Sequence, residues 1–207
     1  FFAFFFLGSL FMQRVLHYSP LRIGLAFAPD TIAMAALSIG LAARVIVRFG
    51  PRRVVLSGLT FIAVGMLLFT RSPENAGYVS DLLLPMILLG TGAGLAFTSL
   101  MLVAMEGSTP SDAGLASGVL NTTTQVGGAL GLAILATVSS GRSSQLMAQG
   151  AGEADALSGG YHLAWAISSG LVLLTIGVAA VVLKPGSAPV AATAAEGADG
   201  ERDHLIA

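Results

Sequence analysis

Long uncharged runs alternate with short turns along this chain, and that alternation most constrains its fold; it is sharpest around the basic segment ARVIVRFGPRRV, Ala43 to Val54. The segment holds Arg44, Arg48, Arg52 and Arg53, four of the ten cationic residues in the chain, and apolar sequence lies on both sides of it. About 20 mostly apolar residues are enough to cross a bilayer as a helix. The segment therefore reads as the turn between two membrane-spanning helices. Gly50-Pro51 suits a tight reversal, because glycine admits a left-handed backbone and proline is preset for the first residue of a helix. Lys and Arg are retained on the cytoplasmic side of membranes. The turn is expected there, with every other loop alternating around it.

Counting outward from this turn gives six spans, at about 1–17, 20–44, 52–70, 82–105, 111–139 and 161–183. The expected fold is an all-α membrane protein, a six-helix transmembrane bundle over residues 1–184 with both termini of the segment cytoplasmic. The composition agrees: 10% of residues are charged, against about 25% in soluble domains. Residues 140–160, rich in Gly, Ser and Ala, are expected to form a mobile outer loop. Residues 185–207, with Glu196, Asp199, Glu201 and Asp203, are expected to be a disordered acidic cytoplasmic tail. The chain has no initiator Met and starts inside an apolar run, so it reads as the C-terminal part of a longer polypeptide.

Several function classes fall away. A net charge of −1 gives no nucleic-acid footprint. The absence of cysteine excludes disulfides and thiolate-held metal. His17, His162 and His204 are scattered. With no nucleophile–base pair, paired acids or ligand spacing, no catalytic residue, metal or cofactor is expected.

An internal repeat organises the spans. Ser19-Pro20-Leu21-Arg22-Ile23-Gly24-Leu25-Ala26 and Thr109-Pro110-Ser111-Asp112-Ala113-Gly114-Leu115-Ala116 share the pattern [ST]-P-x-x-x-G-L-A. They open the second and fifth spans, which are equivalent in an inverted 3+3 arrangement. Arg44–Gly58, RVIVRFGPRRVVLSG, resembles the second-half copy of the signature loop of the major facilitator superfamily. It departs from that signature at Val47, where the family places Asp, and at Ala43, where it places Gly. Asp112–Val138, DAGLASGVLNTTTQVGGALGLAILATV, is similar to the penultimate helix of the fourteen-helix drug:proton antiporters. Gln13, Tyr18-Ser19-Pro20-Leu21 and Gly24-Leu25-Ala26 are similar to the first hairpin of that group's C-terminal half. The resemblance implies one half of a transporter that exchanges protons for small organic solutes. Its partners would be the lipid bilayer and the missing N-terminal half.

Candidate site residues follow from burial cost. Asp30 is the only acid well inside a span and follows Pro29, which disturbs the helix locally. A carboxyl in hydrocarbon is by default a functional candidate. Arg14, at the end of the first span, is its candidate partner, with Gln13 beside it. Ser117, Asn121, Thr124, Gln125 and Gly128 share one face of the fifth span, expected to look into the bundle or the transport path. The glycines Gly90, Gly94, Gly114, Gly118, Gly127 and Gly131 are expected at helix–helix contacts. Gly90-Thr91-Gly92-Ala93-Gly94 lacks the preceding strand of a dinucleotide loop, so packing is preferred. Thr91 and Thr98 offer hydroxyls to the path, Phe residues of the first span are assigned mainly to lipid contact, and Tyr161, His162 and Trp165 to an interfacial belt. The leading reading is a proton-coupled drug exporter half. The alternative is a membrane interaction or structural protein without transport.

Overall fold

The computed structural model describes residues 1–73, 76–105, 109 and 111–183, so Lys184 and the expected acidic tail lie outside the described residues. The first span is α1, Phe2–Arg14. The second is one helical path divided into α2 (Pro20–Ala26), α3 (Ala28–Ala36), a π-helical turn at Leu37–Leu41 and α4 (Ala42–Phe49). Then come α5 (Pro51–Phe69), a second π-helical turn at Tyr78–Leu82 leading into α6 (Leu83–Met105), α7 (Ala113–Ala148) and α8 (Glu153–Val182). Five of the spans are long and apolar enough to cross a membrane, and α1 is a shorter apolar helix.

Local chemistry sets the ends and breaks. The Ser19 side chain accepts the Arg22 N–H at 3.4 Å and Pro20 takes the first helical position of α2. The path breaks at Phe27 because Pro29 has no N–H to donate and its ring crowds the preceding turn. A carbonyl freed inside a membrane must find a donor. Next to the Leu25 carbonyl, which loses the Pro29 N–H, the carbonyl of Ala26 at the end of α2 accepts the Tyr78 hydroxyl at 2.9 Å. Gly50 makes the reversal into α5 at φ +81°, where a side chain would be strained. The Arg52 guanidinium then donates to the Ala180 carbonyl at 2.8 Å. Ala180 lies in the last turn of α8, where carbonyls have no partner within the helix. At the opposite end of the same helix pair, His162 Nε2 meets the Ser72 carbonyl at 2.9 Å.

The packing is invariant when the first three spans are exchanged for the last three. The first span packs on the fifth and sixth; the fourth packs on the second and third. The third and sixth pack on each other. The glycines of the shared sequence pattern behave alike: among the described residues, neither Gly24 nor Gly114 has an atom from outside its own helical turn within 4 Å of where a Cβ would stand. Both reversals that the exchange relates, after α4 and after α7, carry a positive-φ glycine, Gly50 and Gly150.

Four expectations are corrected. The second span continues to Phe49, so Arg44 and Arg48 lie on its last turns and the basic turn narrows to Gly50. The expected loop over 140–160 is helical at both ends, leaving Gln149–Gly152 between α7 and α8. Its small residues serve close packing: Gly160 lies against Ser139 and Ser143 of α7. Tyr161 and Trp165 do not form an interfacial belt, because α8 begins upstream at Glu153 and carries them into the core. Phe4 and Phe11 also turn inward, while Phe2 and Phe6 remain exposed. Ring centroids lie 5.2 Å apart for Phe11–Trp165 and Phe69–Trp165, and 5.1 Å for Phe4–Phe69, within the range of favourable edge and tilted contacts.

Candidate functional site

Asp30 is 0% exposed, and neither carboxylate oxygen has a hydrogen-bond partner among the described residues. Two local features put it there. Pro29 shifts the path of the second span just before it. Gly90 of α6 then lies directly against the Asp30 backbone, where any Cβ would overlap the Asp30 carbonyl group. Gly94, one turn on, meets Met34 and Leu37 in the same way. Gly92 points to the other side of α6, where a Cβ would stand 2.5 Å from the Gly58 carbonyl oxygen. The alternating glycines therefore let α6 fit between α3 and α5. Thr91 is half-buried, and the Thr98 hydroxyl donates to the Gly94 carbonyl at 2.9 Å.

The structure does not bring Arg14 to Asp30. Gln13 and Arg14 are exposed at the end of α1, and Arg14 lines a cleft against α7 and α8. On α7, Ser117, Asn121, Thr124 and Gln125 are exposed rather than turned into this bundle. Thr124 lines a second cleft of about 280 Å³ with Phe2, Phe97 and Gly128, and its hydroxyl donates to the Leu120 carbonyl at 2.8 Å. Gly114, Gly118, Gly127 and Gly131 have nothing within 4 Å of an added Cβ, so they mediate no close packing among the described residues. The reason for the first three of these is that residues 114–127 of α7 are exposed except for half-buried Ala116 and Leu120, while Gly131 faces a cleft. Gly128 is the contact, with Phe2 3.1 Å from its Cβ position. In the basic turn, Arg44, Arg48 and Arg53 are exposed and Arg52 is half-buried against α8.

Sequence reasoning missed Tyr78, whose hydroxyl donates to the Ala26 carbonyl at the break in the second span, and the serines Ser139, Ser140, Ser143 and Ser144. The serine pairs recur four apart, a helical spacing that a loop assignment concealed. Among the described residues no group of three or more His, Cys, Asp or Glu is placed to hold a metal ion.

Comparison with known proteins supplies the family. The model of the Major Facilitator Superfamily matches residues 1–203. The chain is 37% identical over 188 residues to the puromycin resistance protein pur8 of Streptomyces alboniger, covering 88% of this chain and 37% of that protein. It is 35% identical over 130 residues to the cephamycin export protein CmcT of Amycolatopsis lactamdurans, covering 63% and 27%. It is 33% identical over 126 residues to the drug efflux pump JefA of Mycobacterium tuberculosis, covering 61% and 24%. The chain spans well under half the length of these relatives. With its apolar helices, it is a multi-pass membrane protein.

Proposed function

This chain belongs to the major facilitator superfamily, and we propose that it is the C-terminal six-helix bundle of a proton-coupled exporter of drugs or other amphipathic organic compounds. It would sit in the plasma membrane with both ends of the segment cytoplasmic, the Arg44–Arg53 region marking that side. One observation carries the reading. The two spans that the internal exchange relates, the second and the fifth, both leave long faces uncovered, with Leu25 and Ile32 on one and Leu115 and Leu130 on the other. Such faces suit a second bundle, the missing N-terminal half. The names of the relatives, which speak of resistance, export and efflux, support the direction of transport.

Two bundles would rock about a site between them. A proton and a solute that each bind one state more tightly shift the inward and outward populations through linkage. Asp30 is the proposed proton-handling group. It is a carboxyl sealed from solvent without a partner for either oxygen among the described residues, which is costly unless function requires it. Asn121, Thr124 and Gln125 are the proposed solute contacts, since they face outward on α7 toward the expected second half.

Dye efflux into inverted vesicles bearing the complete protein tests this. Wild-type transport is expected to follow the proton gradient and to collapse with a protonophore. Asp30→Asn is expected to lose gradient-driven transport while the protein remains inserted. Transport that survives the protonophore removes proton coupling. An unaffected Asp30→Asn removes Asp30 from the coupling machinery.

A further inference from the structure

We propose that the cleft between α1, α7 and α8 binds the anionic head of an amphipathic molecule, a carboxylate or phosphate carried on an apolar tail. The cleft measures about 310 Å³ and lies at the end of the bundle remote from Gly50. Its polar wall is Arg14, Ser139, Ser140, Ser143, Ser144 and Tyr161, and Leu7, Leu10 and Leu157 give it an apolar floor. Among the described residues, Arg14 is the one charged residue in the lining. Its guanidinium keeps its charge at any physiological pH and presents a planar fork of donors that matches a carboxylate or phosphate. The acids of α8, Glu153 and Asp155, belong to its first turn and do not line the cleft. The nearby cation of α7, Arg142, is engaged with the Gln145 side-chain oxygen at 3.1 Å.

The remaining donors are held in place. The Tyr161 ring is buried and stacks on Trp165 at a centroid distance of 6.1 Å, which fixes where its hydroxyl stands. Ser143 donates to the Ser139 carbonyl at 3.0 Å and so offers lone pairs only. Ser140 and Ser144, one turn apart and exposed, can turn their hydroxyls to an anion. An alkylammonium head would meet the like charge of Arg14, and a neutral alcohol would forgo the charge-assisted bonds. The floor runs along α1 for roughly 10 Å, from Leu7 to Arg14, beside the head site and not opposite it. The inference deepens the exporter reading by naming a ligand class, and binding is measured apart from transport.

The test uses the complete protein in phosphatidylcholine nanodiscs, with equilibrium dialysis of radiolabelled decanoate. Saturable binding is expected that decanol and decyltrimethylammonium displace poorly. Arg14→Gln is expected to weaken it about tenfold or more, Arg14→Lys by less, and Arg142→Gln not at all. Exchanging part of the lipid for phosphatidylglycerol identifies the source of the head. Loss of decanoate affinity in wild type but not in Arg14→Gln assigns a lipid phosphate; unchanged affinity assigns a free amphiphile. Equal displacement by decanol, or unaltered binding by Arg14→Gln, overturns the proposal. Failed dye efflux with intact decanoate binding counts against the exporter reading alone.

Discussion

Helices α6 and α7 are alike in composition and opposite in environment. Each carries glycines spaced four apart and no charge through its first 23 residues or more. In α6, Gly90 and Gly94 press on α3 while Gly92 presses on α5, and Met86, Leu89 and Ala93 are fully buried. In α7, Gly114, Gly118, Gly127 and Gly131 have nothing among the described residues within 4 Å of an added Cβ, and Leu115 and Ile134 are 74% and 60% exposed. Glycine spacing thus states that a close approach is permitted. Whether it occurs depends on a partner helix, because inside a membrane the association rests on packing and not on escape from water.

The largest expected effect tests that contrast directly. Gly90→Val would drive a side chain into the Asp30 backbone, where no flexible group can yield. A loss of about 3 kcal/mol or outright misfolding is expected, read as a fall in thermal stability of the purified chain in detergent. Gly118→Val has open space around it and should stay within about 0.5 kcal/mol. Equal damage from the two would mean that α7 is covered within this chain, and the contrast would collapse.

What could be read from sequence follows the same line. The six spans and the Gly50-Pro51 reversal were legible because apolar length and turn chemistry are local properties. The 3+3 repeat was legible from two octapeptides, and the exchange-invariant packing agrees with it. The ends of α7 and α8 were not legible, because Ser, Gly and Ala have a loop-like composition until a second helix packs on them. The buried rings of Tyr161 and Trp165 were misplaced for that reason: shifting the start of α8 moved the expected interface. The separation of Arg14 from Asp30 was beyond sequence altogether, since it depends on which neighbours α1 and α3 choose.

A middle-sized effect is expected at Arg52, whose contact joins the start of α5 to the end of α8. It ties the α5–α8 pair at one end, as His162 and Ser72 do at the other. Arg52→Gln keeps some hydrogen-bonding capacity but loses the charge, so a loss of about 1–2 kcal/mol is expected. Hydrogen exchange localised to the last turn of α8 would show it. Protection there that does not change would mean the carbonyl of Ala180 finds another donor, and that the two ends of the helix pair are held unequally.

The smallest effect is the most discriminating, because its sign decides. Glycine in a helix interior costs about 0.5–1 kcal/mol relative to alanine. At Gly118, which is exposed, nothing among the described residues stands within 4 Å of the added methyl, so Gly118→Ala should stabilise this chain by about that amount. In the complete protein the same methyl would meet whatever closes on the exposed face of α7. If a second bundle packs there as tightly as α3 packs on Gly90, the sign reverses and the substitution destabilises. A gain in both settings would leave α7 facing lipid or open water-filled space throughout, and the uncovered faces of the second and fifth spans would then not be the seat of the missing half.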